Sequence, residues 1–263
     1  MRVGPPLAQY SPPMPDTLAL TWRQYRLERH MFWRNPSAAF FNFALPLLFL
    51  AAGGIILHGS QRDLNLLVPA IAGMSVMSTT FTALAYNIVF LRERGVLKRI
   101  RGTPLPAISY FGGVAANAVT NTAFQIAIVT IAGKLLFGIG WPMDWGELVV
   151  FVVVGVACFA ALGVAFAHAI PNFESTAAYV NAVFLPVVFV SFYVFDSASA
   201  PAFVRHIAEA LPLKPLIDGL SGAMVTGKGL SANLSALAVI ALWGVFGVYF
   251  AVRGFSWEQS RNA

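Results

Sequence analysis

The stretch Arg92-Glu-Arg-Gly-Val-Leu-Lys-Arg-Ile-Arg-Gly-Thr-Pro-Leu-Pro106 decides the fold, because this dense run of charge lies between long runs of uncharged residues. Five of the 17 Lys and Arg residues fall between Arg92 and Arg101. On an ideal helix Arg94, Lys98 and Arg101 share one face, and apolar side chains share another. We therefore predict a short amphipathic helix over residues 92–101 between two membrane spans. The charge alone fits equally well a loop that only sets the topology.

The composition places most of the chain in a membrane. Hydrophobic residues make up 58% of the 263 residues and charged residues 11%, whereas a soluble domain carries about 25% charged residues. The mean hydropathy is +0.71. The sequence therefore predicts an all-α polytopic membrane protein.

Six runs are long and apolar enough for a membrane-spanning helix, which needs about 20 such residues. The predicted spans cover about residues 37–58, 66–91, 108–136, 148–169, 173–195 and 231–252. In the fourth run, Gly155 and Gly163 allow neighbouring helices to approach closely. Trp141 and Trp145, in the turn before it, indicate an aromatic belt at the membrane interface.

The remaining segments frame this transmembrane domain, which covers residues 35–253. Residues 1–16 contain five prolines and predict a flexible cytosolic tail. Residues 17–34 predict an interfacial helix, because aromatic side chains on one side lie beside basic ones (Trp22, Tyr25, Phe32, Trp33; Arg23, Arg26, His30, Arg34). The outer segment 196–229 predicts two short helices, near residues 202–211 and 215–225, at the membrane surface or dipping into it. Residues 254–263 are a short polar tail.

The distribution of basic residues predicts the orientation. The two termini, the Arg92 segment and the turn between the fourth and fifth spans hold 12 Lys and Arg residues, against 5 in the other three loops. Because short cytosolic loops carry the excess of positive charge, both termini and the Arg92 segment should be cytosolic.

The chain carries no convincing motif for catalysis or metal binding. Residues Gly222-Ala-Met-Val-Thr-Gly-Lys-Gly229 nearly match a phosphate-binding loop, but glycine replaces the hydroxyl residue at its end and no strand is predicted before it. The four histidines have no ligand spacing, and the single cysteine, Cys158, lies in an apolar run. We therefore expect no enzyme activity and no cofactor bound by this chain.

Residues 93–106 also resemble a known family. Glu93-Arg-Gly-Val-Leu-Lys-Arg-Ile-Arg-Gly-Thr-Pro-Leu-Pro106 is similar to the segment after the second span in permease subunits of type-two ABC exporters. In that family a glutamate precedes a glycine, followed by Leu-Lys-Arg, a small residue, Thr-Pro and often Leu-Pro. Residues 211–220 resemble the Leu-Pro segment before the last span. The usual Ser-Gly-aromatic-Pro run after the fifth span is absent, since this chain reads Phe195-Asp-Ser-Ala-Ser-Ala-Pro201.

The resemblance implies a six-span permease in a bacterial plasma membrane, working as a dimer with a copy or a related permease. Two separate ATPase subunits would bind the ATP and Mg, and residues 92–101 would be the coupling helix that docks on them. The basic residues of that helix would then contact acidic groups on the ATPase, and Glu93 a basic group or a helix end (Arg92, Arg94, Lys98, Arg99, Arg101).

Polar and aromatic residues within the spans are the candidates for a cargo path. Asn117, Asn121 and Gln125 follow one face of the third span, where an amide facing lipid is costly. Hydrogen bonding between helices explains them more simply than cargo contact. In the family, the second and fifth spans line the route, which adds further candidates (Thr79, Thr82, Tyr86, Asn87, Tyr179, Asn181, Phe184). Such a mostly apolar path suits a drug, lipid or glycolipid exported from the cytosol.

Three other functions fit parts of the sequence. A polysaccharide exporter shares the broad plan of six spans and a separate ATPase. A non-transporting membrane subunit would use the basic segment only to bind anionic lipid. A membrane-embedded enzyme acting on lipids would need a polar catalytic cluster at one depth, which the sequence does not offer.

Overall fold

The computed structural model describes residues 16–57, 60–96, 105–196, 201–227 and 229–254, which are almost entirely helical. Its α-helices are α1 (Thr17–Trp33), α2 (Pro36–Ile56), α3 (Gln61–Met77), α4 (Ala83–Glu93), α5 (Ala107–Phe137), α6 (Trp145–Phe166), α7 (Thr176–Asp196), α8 (Ala202–Ala210), α9 (Leu213–Ser221) and α10 (Leu234–Gly254). Two π-helical turns, Ser78–Thr82 and Gly222–Thr226, and a 3₁₀ turn, Leu230–Asn233, complete the described elements.

Within the described residues, five helical stretches are long and apolar enough to cross a membrane, which confirms the prediction of an all-α polytopic membrane protein. They are Ala39–Ile56, Gln61–Glu93, Ile108–Phe137, Trp145–Phe166 and Leu230–Arg253. Helix α7 lies where the fifth of the six spans is expected, but its apolar part, Thr176–Phe192, is shorter than these. The count of six therefore stays a prediction.

The second span is interrupted by the π-turn Ser78–Thr82, which joins α3 to α4. The hydroxyl of Thr79 donates to the carbonyl of Ser75 at 2.7 Å, and that of Thr80 donates to the carbonyl of Val76 at 2.5 Å. Such side-chain bonds compete with the backbone ladder and favour a local bulge.

Glycine allows α6 to pack directly on this bulge. A Cβ atom at Gly163 would lie 2.7 Å from the backbone oxygen of Phe81, which is closer than van der Waals contact permits. On another side of α6, a Cβ at Gly247 of α10 would lie 2.8 Å from the backbone nitrogen of Leu162. The π-turn and α10 therefore each approach α6 as closely as the backbones allow, as the sequence predicts for Gly163.

One helix of the outer segment, α9, is buried among its neighbours. Four apolar side chains of α9 are fully buried, at 0% exposure (Leu213, Leu216, Ile217, Leu220). They pack among α3, α6 and α10. The Lys214 ammonium pairs with the Asp218 carboxylate at 2.5 Å. Burial raises the pKa of Asp218, and Lys214 opposes that shift. Helix α9 thus packs in the bundle core, whereas most residues of α8 are exposed.

Helix α1 packs along α5 through a polar face. Gln24 and Glu28 are buried, at 9% and 8% exposure, and the Gln24 amide donates to the Glu28 carboxyl at 2.8 Å. Gly113 of α5 leaves room for the stem of Gln24. Trp22 and Trp33 of the expected aromatic side remain more than half exposed. Burial raises the pKa of Glu28, and the bond from Gln24 only partly offsets this.

Replacing Gly163 with Ala should destabilise the bundle, because the added methyl must displace the backbone at Phe81. Overpacking of this kind costs about 1–3 kcal/mol. We expect a lower melting temperature in detergent, measured by tryptophan fluorescence. Gly140→Ala is the control, since a Cβ there meets nothing within 4 Å. Equal melting temperatures for the Gly163→Ala and Gly140→Ala variants would contradict the close packing of α6 on the bulge.

Replacing Glu28 with Gln should stabilise the protein near neutral pH and do so less as the pH falls. The raised pKa means that burying the charged carboxylate opposes folding above that pKa, and this penalty vanishes below the ordinary value of 4.5. Gln retains the oxygen that accepts from Gln24. Melting temperatures between pH 4 and pH 8, compared with the exposed control Glu209→Gln, check this. A gain that is independent of pH would contradict the buried-carboxyl explanation.

Candidate functional site

The Arg92 side chain binds the end of α6 rather than pointing away from the bundle. Its guanidinium donates to the carbonyl of Ala167 at 3.1 Å and also to the carbonyl of Ile170. Both acceptor residues are buried, at 0% and 1% exposure. The last carbonyls of a helix lack partners within it and carry its negative dipole end, so a cation is stabilising there. Arg92 thus ties the end of α4 to the end of α6.

Glu93 makes the complementary contact to the start of α7. One oxygen of its carboxylate accepts a hydrogen bond from the backbone N–H of Phe173 at 2.6 Å. The Phe173 ring packs edge-on against Phe90, with centroids 5.6 Å apart, and against Tyr86 at 6.2 Å. The Glu93 carboxylate therefore lies beside a backbone N–H group of the turn over residues 167–173, and the Arg92 guanidinium lies beside carbonyl groups of the same turn. We call these contacts of Arg92 and Glu93 with residues 167–173 the α4 clamp.

His168 lies within the turn that the clamp holds. Its Nδ1 lies 3.0 Å from the carbonyl oxygen of Ala165. Burial lowers the pKa of His168, and the charge of Arg92 acts in the same direction, while the contact with Ala165 opposes it. A neutral imidazole next to Arg92 leaves the guanidinium as the local positive charge.

Arg94 is the first exposed basic residue after the clamp. Its guanidinium lies 4.8 Å from the centroid of the Phe90 ring, and Gly95 adopts a left-handed conformation with φ of 65°. The remaining basic residues proposed for ATPase contact, Lys98, Arg99 and Arg101, lie outside the described residues, as does most of the predicted coupling helix. Their role stays a prediction.

A polar cavity of about 730 Å³ opens between α1, α2, α5 and the second span. Five of the candidate path residues line it: Thr79, Thr82, Asn87, Asn117 and Asn121. Asn35, Asn42, Ser78 and the carboxyl residue Glu28 add further polar groups. A neighbouring cavity of about 670 Å³ shares Glu28, Asn87 and Phe90 with it and reaches Phe173 at the α4 clamp. The polar cavity therefore extends from the bundle interior to the charged end of the second span.

The hydrogen-bonding capacity of the polar cavity is not used up within the described part of the chain. Asn42 retains an unpaired amide donor on α2, Thr82 an unpaired hydroxyl in the bulge, and Asn117 an unpaired carbonyl oxygen on α5. Buried polar atoms without partners are rare in folded proteins, and each needs an explanation. The three atoms are covered by protein, so their side chains must rotate before a ligand in the cavity can bond them.

Other candidate residues join the walls of the cavity together. The hydroxyls of Thr79 and Thr122 lie 2.8 Å apart, joining the bulge to α5. The amide of Gln125 donates to the backbone oxygen of Asn42 at 2.7 Å. The guanidinium of Arg29 donates to the Asn121 side-chain oxygen at 2.5 Å. The simpler interpretation, hydrogen bonding between helices, therefore describes Asn121 and Gln125 well.

The candidates on α7 lie away from this cavity. Tyr179 and Asn181 are exposed on the outside of the bundle, and Phe184 is partly buried against the core. Tyr86 lines only the neighbouring cavity, beside the α4 clamp. The structure thus brings the candidates of the second and third spans together and leaves those of the fifth apart.

Sequence reasoning missed three residues of the cavity region. The sequence places Glu28 and Arg29 in the predicted interfacial helix and Asn42 in an uncharged span, with no role at a cavity. Arg29 lies 5.6–5.8 Å from the ring centroids of Phe32, Trp33 and Phe124. A carboxyl and a guanidinium adjacent in an aromatic-rich amphipathic helix were the available signal, since such groups need partners when they leave water.

Among the described residues, no group of three or more His, Cys, Asp or Glu side chains could hold a metal ion. The near match to a phosphate-binding loop falls on the end of α9, where Gly222–Thr226 is a π-helical turn that follows a helix. A phosphate-binding loop instead follows a strand and opens a helix.

Comparison with known proteins agrees with this geometry. Residues 15–225 match the family described as ABC-2 type transporter. The chain is 24% identical over 226 residues to the putative transport permease ycf38 of Pyropia yezoensis, covering 81% of this chain and 75% of that protein. It is also 24% identical over 179 residues to Nodulation protein J of Sinorhizobium fredii, covering 67% and 68% respectively.

The matched region begins before α1 and ends in the π-turn Gly222–Thr226, so it contains both the α4 clamp and the polar cavity. It also covers most of the chain, including four of the five apolar membrane stretches. The chain therefore belongs to the ABC-2 type transporter family of membrane transport permeases.

Proposed function

We propose that this chain is the permease half of an ATP-driven exporter and moves an amphipathic cargo with an uncharged, hydroxyl-rich head, such as a glycolipid. The family implies partnership with an ABC ATPase that supplies the energy. The polar cavity carries the cargo part of the proposal, because amide and hydroxyl side chains from three separate elements line it. A hydroxyl both donates and accepts, so a sugar-like head can satisfy all of them.

The surroundings of the cavity favour an amphipathic molecule over a strongly charged one. The side chains of Asn117, Thr82 and Asn42 are neutral. Burial raises the pKa of Glu28, which favours the neutral form of its carboxyl group. Phe32, Phe90 and Met31 supply apolar surface beside them. An alkyl chain can therefore lie along the apolar wall while the head binds the amides.

The α4 clamp is the proposed route by which motion of the ATPase reaches more than one span. A force applied to residues 92–101 acts on α4 directly. Through Arg92 and Glu93 the same force acts on the end of α6 and the start of α7. In this proposal Arg92 and Glu93 hold the turn, while Arg94 and the basic residues after it contact the ATPase.

A second permease copy is the proposed partner for α7. Helix α7 exposes the residue Asn181, which carries an amide. On the same helix, Phe189 is 68% exposed. An exposed amide in hydrocarbon is costly, because lipid offers it no partner. Burial against a second permease would remove this cost. We place the assembly in a bacterial plasma membrane with both termini cytosolic, since the distribution of basic residues favours that orientation.

Replacing Arg92 with Gln should uncouple transport without releasing the ATPase. Each hydrogen bond to a charged group contributes about 1.5–3 kcal/mol, so transport per ATP hydrolysed should fall at least about tenfold. The measurement compares efflux and phosphate release in proteoliposomes, with Arg62→Gln at the opposite end of the span as control.

The double reversal Arg94→Glu, Lys98→Glu should instead reduce co-purification of the ATPase. Unchanged transport in both variants would refute the coupling proposal.

Replacing Asn117 with Ala, or Thr82 with Val, should weaken transport of a hydroxyl-headed lipid. One hydrogen bond contributes about 1 kcal/mol, or roughly a fivefold change in rate for each variant. The probes are a fluorescent glucosyl lipid and a lipid of equal chain length with a quaternary ammonium head, both tested in proteoliposomes with the ATPase. Asn65→Ala, outside the cavity, is the control. The cargo proposal fails if both probes move equally well, or if neither variant distinguishes them.

A further inference from the structure

Another cavity lies between α5 and α6. Neither Glu28 nor the residues of the α4 clamp line it. It measures about 300 Å³ and is lined by apolar side chains over most of its length, from Val119 to Ile131 on α5 and from Trp145 to Val153 on α6. Its rim is open, because Ile131, Val149 and Val153 are about half exposed. We call it the α5–α6 groove.

The groove has the length of one membrane leaflet. Val119 and Thr130 both line it, and at 1.5 Å per residue the helix rises about 16 Å between them. Half of the hydrocarbon core is about 15 Å thick. An extended acyl chain can therefore lie along the groove from the interface towards the bilayer centre.

One polar atom in the groove has no partner among the described residues. Thr130 is 3% exposed, lines the groove, and its hydroxyl makes no hydrogen bond. Threonine in a helix ordinarily bonds a carbonyl in the preceding turn, as Thr79 and Thr120 do. The hydroxyl is covered by protein, so a rotation about the Cα–Cβ bond of Thr130 is needed to present it to an acceptor in the groove.

The end of the groove has the charge and the aromatic rings of a headgroup site. Lys134 lies one helical turn beyond Thr130, on the same face of α5. Its ammonium lies 5.4 Å from the centroid of the Trp141 ring. Trp141 and Trp145 line the groove and yet are 50% and 59% exposed. Tryptophan of this amphipathic placement is typical of the headgroup layer.

We propose that the α5–α6 groove binds one glycerophospholipid. The acyl chain lies between α5 and α6, the hydroxyl of Thr130 donates to the carbonyl of the ester, and the phosphate pairs with Lys134. Charge complementarity at Lys134 and the unpaired hydroxyl favour this occupant over a plain hydrocarbon. The site is separate from the polar cavity and does not depend on which cargo the protein moves.

The test uses the full chain purified in detergent and titrated with phosphatidylglycerol, with bound lipid counted by native mass spectrometry. Thr130→Val and Lys134→Gln should each weaken binding severalfold, and Ala127→Phe, which fills the groove, should abolish the bound lipid. Leu135→Ala is the matched control, because Leu135 lies on the same helix, is 78% exposed and does not line the groove. It should bind as the unaltered chain does.

A diacylglycerol with the same chains separates the headgroup from the tail. The unaltered chain should bind the diacylglycerol more weakly than phosphatidylglycerol. The Lys134→Gln variant should bind the two lipids equally. Phosphatidylglycerol binding that survives Ala127→Phe would show only lipid around the protein and would overturn the site. Equal binding of both lipids to the unaltered chain would overturn the phosphate contact.

Discussion

The placement of opposite charges on adjacent residues at the end of α4 organises one end of this bundle. Arg92 reaches the carbonyl end of α6, and Glu93 reaches the amide end of the turn into α7. Each charge meets the dipole end that stabilises it. Because the ends of three helices are held by two consecutive residues, a displacement of this point cannot act on the second span alone. The proposed coupling depends on this constraint, and so does the position of the cavity that reaches Phe173.

The interior and the periphery of the bundle differ in how they satisfy polar groups. Around the polar cavity, the amides and hydroxyls on α2, α5 and the bulge are partly paired with one another and partly unpaired. In the α5–α6 groove, a single unpaired hydroxyl lies among apolar side chains. In a low-dielectric setting an unpaired polar group is expensive. We propose a ligand of different chemistry for each place: a hydroxyl-rich head inside and an ester-linked lipid outside.

The sequence predicted the membrane class and the approximate places of the helices, because long uncharged runs have few other stable environments. It also predicted the close approach at Gly163. The π-bulge at Ser78–Thr82 could not be predicted, since it depends on threonine hydroxyls competing for particular backbone carbonyls. The buried polar face of α1 was missed because Gln24 and Glu28 are buried only through their contact with α5. The partners of Arg92 were missed for the same reason, since Ala167 and Ile170 are distant in sequence.

The proposed partnership of this permease with a separate ATPase at the charged end of the second span can be tested directly. The measurement is affinity purification of the chain from its native membrane in mild detergent, with partners identified by mass spectrometry. We expect an ABC-type ATPase to co-purify and to be lost when the basic residues of segment 92–101 are replaced. Recovery of no ATPase, under conditions that keep a known exporter intact, would contradict ATP-driven transport.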